Sequence, residues 1–183
     1  MASLDEKKYT VDDYFHLPTD EKYVELLDGQ IYYMAPPSRI HQKILGYLFK
    51  EIANYMDKNH GNCEVYPAPF AVQLKEKENT IVEPDISIIC DPNKLTDRGC
   101  VGAPDWIIEV VSPNNSSHDY IYKLNKYALA SVRDYWIVDP IKQQIFVYNF
   151  AGESTDLSSY TFNDTVKAGI YEQLCIDFSK LNI

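Results

Sequence analysis

Two carboxylates interrupt otherwise apolar runs of the sequence. Asp85 opens the run Ile86 to Ile89, and Glu109 lies within Trp106 to Val111. A charge without a partner inside a covered sheet is costly, so each carboxylate needs either a cationic side chain or a bound metal. Their oxygens, with the backbone carbonyl of Val110, suit Mg²⁺, and Mn²⁺ is possible in its place. A structural salt bridge from Glu109 to a Lys or Arg explains that charge equally well.

A later segment offers a cation for this pair. Asp119, Lys123 and Tyr127 are spaced four residues apart and share one face of a helix predicted from about Ser117 to Ala130. From that face Lys123 could reach back over the end of the strand that holds Glu109. The alternative is a solvated Lys123 paired with Asp119, which is the usual fate of such residues.

The elements that must position these residues can be predicted in outline. Asp28-Gly29 between two β-rich runs indicates a tight hairpin, and Ser38 can cap a long helix that ends near Lys58. The unbroken apolar run 106–111 indicates a central strand covered on both faces, whereas residues 91–104 are expected to form a loop. The order of helices and strands predicts an α/β or α+β fold with a mixed central β-sheet flanked by helices.

Length and charge limit the classes of function. The chain has 183 residues, which predicts a single domain over residues 1–183. A net charge of -10 argues against a generic duplex-DNA coat protein, because phosphate contacts need clustered Lys and Arg, but it does not exclude an enzyme that acts on nucleic acid.

The targeting signals that the sequence lacks and the spacing of its cysteines predict a cytoplasmic protein. No secretory signal and no apolar run long enough for a membrane span is visible in the sequence. The cysteines form no C-x-x-C pair and are predicted to be scattered thiols in a reducing compartment. They are Cys63, Cys90, Cys100 and Cys175.

The spacing of the two carboxylates resembles a known motif. Pro84-Asp85, followed 24 positions later by Glu109-Val110-Val111, resembles the PD-(D/E)XK nuclease motif, with Val111 in place of the expected Lys. Wider blocks, in the same order, resemble the Uma-type family of bacterial proteins, which are described as restriction endonucleases largely from motifs. The blocks are residues 25–31, 34–38 with His41, 83–87, 104–113, and the positions Asp119, Lys123 and Tyr127 followed by 134–140. The resemblance covers roughly residues 10 to 150.

The resemblance implies a restriction-endonuclease-like core and a site. It implies that the missing motif lysine has moved to the helix, onto Lys123, and that Glu25 is a third, outer carboxylate. It also implies that His41 contacts a phosphate or water, although His41 could equally pack the start of the long helix. The activity implied is Mg²⁺-dependent hydrolysis of phosphodiester bonds in nucleic acid, with DNA as the first candidate and a homodimer as the assembly.

Two other functions stay open at this point. A nuclease-fold binding or regulatory module with little or no activity is favoured by Val111, by the acidic net charge and by the lack of a basic stretch. Such a module should turn Lys123 away from the site and should leave Glu109 paired with an Arg or a Lys. A metal-dependent hydrolase of a small phosphorylated compound is the other alternative, and it should show a closed pocket.

Overall fold

The computed structural model describes residues 7–18, 23–112, 117–152, 155–181 and 183, with the backbone alone for residues 117–119. The helices are α1 (Val11–Phe15), α2 (Arg39–Asn59) and α3 (Ser117–Ala130), with short 3-10 turns at Pro92–Lys94 and Phe178–Lys180. The strands are β1 (Val24–Leu27), β2 (Gln30–Tyr33), β3 (Glu64–Pro67), β4 (Val72–Gln73), β5 (Ile81–Val82), β6 (Ile86–Ile89), β7 (Leu95–Thr96), β8 (Gly99–Val101), β9 (Trp106–Val110), β10 (Asp134–Asp139), β11 (Gln144–Asn149), β12 (Asp156–Thr161), β13 (Thr165–Lys167) and β14 (Cys175–Asp177).

A mixed sheet forms the centre of the fold. Its strand order is β12-β11-β10-β9-β6-β3, in which β9 and β10 run parallel and the other neighbours run antiparallel. Every residue of β9 is buried, as expected for a central strand covered on both faces. Trp106 and Trp136 are fully buried in neighbouring strands. The predicted mixed sheet with flanking helices is therefore confirmed.

A second sheet, the hairpin sheet, has the order β2-β1-β5-β4-β8-β7. Its β1–β2 turn holds Asp28 at φ 51° and Gly29 at φ 85°, the positive values that a tight hairpin of this kind requires. The loop predicted over residues 91–104 is partly wrong, because β7 and β8 lie within it. β8 pairs with β4, which is distant in the sequence, and β7 pairs with β8, so these strands of two and three residues carry no local pattern that marks them.

Two apolar clusters hold the layers together. On one face of the mixed sheet, α2 packs Ile44, Leu48 and Ile52 against the sheet, together with side chains of β13 and β14. The Ser38 hydroxyl caps this helix by accepting the His41 N–H at 3.2 Å. On the other face, the hairpin sheet and α3 enclose the second cluster, which includes Tyr127. The candidate site lies where α3, β1 and β9 meet.

The cysteine prediction is wrong for one pair. Glu64 pairs with Ile89 in the antiparallel β3–β6 ladder, so Cys63 and Cys90 lie directly opposite each other, and they form a disulfide. Cys100 and Cys175 are free thiols. Within the described part of the chain, no helix combines the length and the apolar character that crossing a bilayer requires.

Candidate functional site

Antiparallel pairing brings Asp85 and Glu109 to one place. Ile86 pairs with Ile108, so Asp85, just before β6, lies beside the end of β9. Asp85 Oδ2 accepts the N–H of Val110 at 2.7 Å and lies 3.0 Å from His41 Nε2. His41 therefore contacts a predicted site carboxylate from the start of α2, where it is also buried, as its interpretation as a packing residue predicted; its contact with a phosphate or water stays a prediction.

A buried lysine links two of the predicted carboxylates. Lys123 Nζ donates to Glu109 Oε1 at 3.0 Å and to Glu25 Oε1 at 2.9 Å. The exposed fractions are 6% for Lys123, 6% for Glu109 and 2% for Glu25. Lys123 is thus not a solvated surface residue, and Glu109 does have a lysine partner. The side chain of Asp119 lies outside the described part of the chain.

Two contacts that the sequence did not predict complete this network. The Tyr127 hydroxyl donates to Glu109 Oε1 at 2.8 Å, and the N–H of Glu83 donates to Glu25 Oε1 at 3.0 Å. Helical spacing placed Tyr127 on the face of Lys123, but the contact itself depends on how α3 docks. Glu83 lies within a matched sequence block, yet no charge pattern singled it out. Its carboxylate accepts the Tyr14 hydroxyl at 2.7 Å.

Burial and charge set the protonation of the network. Burial raises the pKa of Glu109 to about 7; the charges of Asp85 and Glu25 raise it, while Lys123 opposes the shift. Burial alone would lower the pKa of Lys123, but the charges of Glu109 and Glu25 outweigh burial and raise it. The pKa of His41 is raised above its usual value, because the hydrogen bond and the charge of Asp85 outweigh the opposing effect of burial. Lys123 therefore carries its proton at neutral pH.

A small cavity opens beside the carboxylates. Its volume is about 130 Å³, and His41, Glu83, Asp85 and Glu109 contribute to its wall. Tyr23 lines the same cavity from the end of the β1–β2 hairpin. A ligand in this cavity would contact both the acidic pair and an aromatic ring.

The donor chemistry of the site fits a hard cation. The contacts above use Asp85 Oδ2 and Glu109 Oε1, and the second oxygen of each carboxylate is the candidate ligand atom. No group of three His, Cys, Asp or Glu side chains suited to a metal ion occurs among the residues that the structure describes. An ion would thus bind two carboxylates, backbone oxygen such as the Val110 carbonyl, and water, which is an arrangement that Mg²⁺ commonly adopts.

Comparison with solved structures shows the fold. A crystal structure of "a putative nuclease belonging to DUF820" from Anabaena variabilis superposes with a TM-score of 0.74. The match covers 94% of this chain and 96% of that chain at 22% sequence identity. At this level of identity the likeness establishes a shared fold.

Comparison of sequences gives the family. A protein of Synechocystis sp., itself described as uncharacterized, is 30% identical over 126 residues, which are 68% of this chain and 65% of that protein's length. The match thus spans less than two thirds of this relative. The model of the Uma2 family, described as "Putative restriction endonuclease", matches residues 11–176. The chain therefore belongs to the Uma2 family, as the sequence blocks predicted.

Proposed function

We propose that this chain is a Mg²⁺-dependent nuclease that hydrolyses phosphodiester bonds of nucleic acid, with DNA as the first candidate substrate and Mn²⁺ as a possible replacement ion. One observation carries the proposal: Lys123 reaches from α3 to Glu109, although Val111 occupies the position of the motif lysine. The description of the family and the nuclease-like fold support the same reaction.

In this proposal, the metal is held by Asp85, Glu109 and the carbonyl of Val110. When bound, the ion offsets negative charge that develops on the phosphate. Asp85 is oriented for this task by His41 Nε2 and by the N–H of Val110. Glu109 is oriented by the Tyr127 hydroxyl. Each of the two carboxylates is thus fixed by at least one hydrogen bond before any substrate arrives.

Lys123 supplies the positive charge of the proposed site. An ammonium group has three protons, and two of them are directed at Glu109 and Glu25. In the proposal, the third proton is donated to a phosphate oxygen or to the attacking water. Glu25 is then a positioning residue, because it accepts a second hydrogen bond from Lys123 and keeps the ammonium group charged.

An inert binding or regulatory module is the second candidate, and one observation favours it. Asp85 is already paired with His41, and Glu109 with Lys123, so the network is largely charge-compensated without an ion. The hydrolase of small phosphorylated compounds has less support. A cavity of about 130 Å³ is smaller than the ~300–1,000 Å³ of sites that enclose a small-molecule ligand.

Metal binding and cleavage, measured on the same samples, test the proposal. Calorimetric titration of Mg²⁺ and Mn²⁺ should give binding in the wild type and loss of binding in Asp85→Asn and in Glu109→Gln. Cleavage of plasmid and oligonucleotides should be lost in the same variants. Light scattering would show whether the protein is the proposed homodimer.

A lysine pair on α3 provides the matched control. Lys123→Met should abolish cleavage, whereas Lys126→Met should retain it, because Lys126 pairs with Asp28 at the surface and not with the site. A wild type that binds neither ion and cleaves no substrate would contradict the nuclease proposal and support the inert module. Cleavage that survives in Asp85→Asn would contradict the proposed ligands.

A further inference from the structure

The β1–β2 hairpin presents one face to the candidate site. Glu25 lies opposite Tyr32 in the hairpin ladder, so the two side chains emerge on the same side. The contact of Glu25 with Lys123 identifies this side as the one that faces the site. Tyr23 lies two residues before Glu25, on the same side, and it lines the cavity that contains Asp85.

Both tyrosine rings on this face are available to a ligand. The exposed fraction is 47% for Tyr23 and 45% for Tyr32. The hydroxyl of Tyr32 donates to Gln30 Oε1 at 3.0 Å, which holds its polar end along the strand. This side of the hairpin therefore carries the buried Glu25, the cavity-lining Tyr23 and, opposite Glu25 in the ladder, the partly exposed Tyr32.

The opposite face of the same hairpin provides an internal comparison. Tyr33 lies opposite Val24, whose side chain is buried in the cluster that packs against α1. Tyr33 therefore emerges on the far side of the hairpin, with an exposed fraction of 68%. Tyr32 and Tyr33 are thus adjacent tyrosines of β2, and only Tyr32 emerges on the side that faces the site.

The charges around the site favour contacts to bases over contacts to phosphates. The net charge of the chain is -10. Lys123 is shared by Glu25 and Glu109, and Lys126 is paired with Asp28. Binding of a duplex depends largely on many Lys and Arg contacts to phosphates, and each of these two lysines is paired with carboxylates, so that at most the third proton of Lys123 is left for a phosphate. Base stacking on aromatic side chains adds a contribution to binding that does not come from phosphate charge.

We propose that Tyr23 and Tyr32 form a base-stacking platform, and that the substrate is therefore nucleic acid with unpaired bases, either single-stranded or locally opened. This inference rests on the proposed nuclease function. In an intact duplex the base faces are stacked on one another and cannot reach these rings. A base on each tyrosine would hold the adjoining backbone beside Asp85 and Glu109.

Binding of fluorescent oligonucleotides tests the platform. A single-stranded 20-mer, as DNA and as RNA, and its duplex form would be titrated in Ca²⁺ by fluorescence anisotropy, with cleavage of the same oligonucleotides followed in Mg²⁺ and Mn²⁺. The single strand should bind more tightly than the duplex. Tyr23→Ala and Tyr32→Ala should each weaken its binding about 5- to 100-fold, the effect expected for one stacked base.

Three controls separate stacking from other effects. Tyr23→Phe/Tyr32→Phe should bind like the wild type because it retains both rings, whereas Tyr23→Leu/Tyr32→Leu should bind like the alanine variants because it retains only apolar volume. Tyr33→Ala should leave binding unchanged. Circular dichroism would confirm that each variant is folded.

The outcomes distinguish this inference from the function on which it rests. Cleavage of duplex at least as fast as single strand, or equal binding by wild type and Tyr23→Ala/Tyr32→Ala, would overturn the platform and leave the nuclease intact. Absence of cleavage of every substrate would overturn the proposed function and this inference with it.

Discussion

Replacing Lys123 by Met tests whether the buried network is organised by one charge. Methionine retains most of the length of lysine but removes the ammonium group that Glu25 and Glu109 share. Those carboxylates are 2% and 6% exposed, so water can replace the lost partner only in part. Removal of one member of a buried ion pair costs about 3–5 kcal/mol, and we expect a loss of unfolding free energy in that range above neutral pH.

The size of this loss should depend on pH. The folded-state pKa of Glu109 is about 7, above the value of 4.5 for a free glutamate, and Lys123 limits this increase. Without Lys123 the folded-state pKa rises further. For an acid with a raised folded-state pKa, stability is greatest below the unfolded-state pKa and is lost as the pH increases through the folded-state value. The deficit of Lys123→Met should therefore be largest at alkaline pH and should shrink toward about pH 5.

Urea unfolding, followed by tryptophan fluorescence, can measure this effect. Trp106 and Trp136 are fully buried in the mixed sheet and should report its unfolding. Lys126→Met is the matched control, because Lys126 pairs with the exposed Asp28, and its loss should cost at most ~1 kcal/mol. A Lys123→Met variant as stable as Lys126→Met, or one whose deficit does not change with pH, would refute the reasoning.

Further substitutions test the fold away from the site. Gly99→Ala should destabilise by about 3 kcal/mol or more, since its φ is +134° and a Cβ would lie 2.1 Å from a carbonyl oxygen. Gly46→Ala, on an open helix face, should stabilise by ~0.5–1 kcal/mol; thermal unfolding compares the two. Thiol labelling of unfolded protein should detect two cysteines before reduction and four after it, because Cys63 and Cys90 are joined; four before reduction would exclude this disulfide. Burial raises the pKa of Asp134 to about 6, so its contribution to stability should decrease by ~2–3 kcal/mol as the pH increases from about 4 through 6; in urea titrations Asp134→Asn should remove this contribution and leave the part of the slope that Glu109 causes.

Local patterns predicted the long elements but not the short ones. The helical period of α2, the Asp28-Gly29 turn and the apolar run of β9 each carry enough residues to be recognised. Strands of two residues, such as β4 and β5, are too short to show an alternation of apolar and polar side chains. They form because neighbouring strands supply hydrogen bonds. The disulfide was missed for a related reason, since Cys63 meets Cys90 only through the register of β3 and β6.

The sequence predicted which charged residues lie close together, but not the contacts between them. Apolar context singled out Asp85 and Glu109, helical spacing placed Lys123 on a face with Tyr127, and the family resemblance added Glu25. That one ammonium group binds two carboxylates follows from how α3 docks between the hairpin and β9. Docking depends on tertiary packing, and no spacing rule within a single segment encodes it.

The shared lysine also constrains when the site can exist during synthesis of the chain. Glu25 and Lys123 are 98 residues apart, and Glu109 precedes Lys123 by 14. A ribosome releases the acidic residues first, so every nascent chain passes through a stage that has carboxylates but lacks their counter-charge. The hydrogen bonds of Lys123 to Glu25 and Glu109 can therefore form only after α3 has left the ribosome and packed against the hairpin and β9. An N-terminal fragment that ends before α3 contains these two carboxylates without the lysine that joins them.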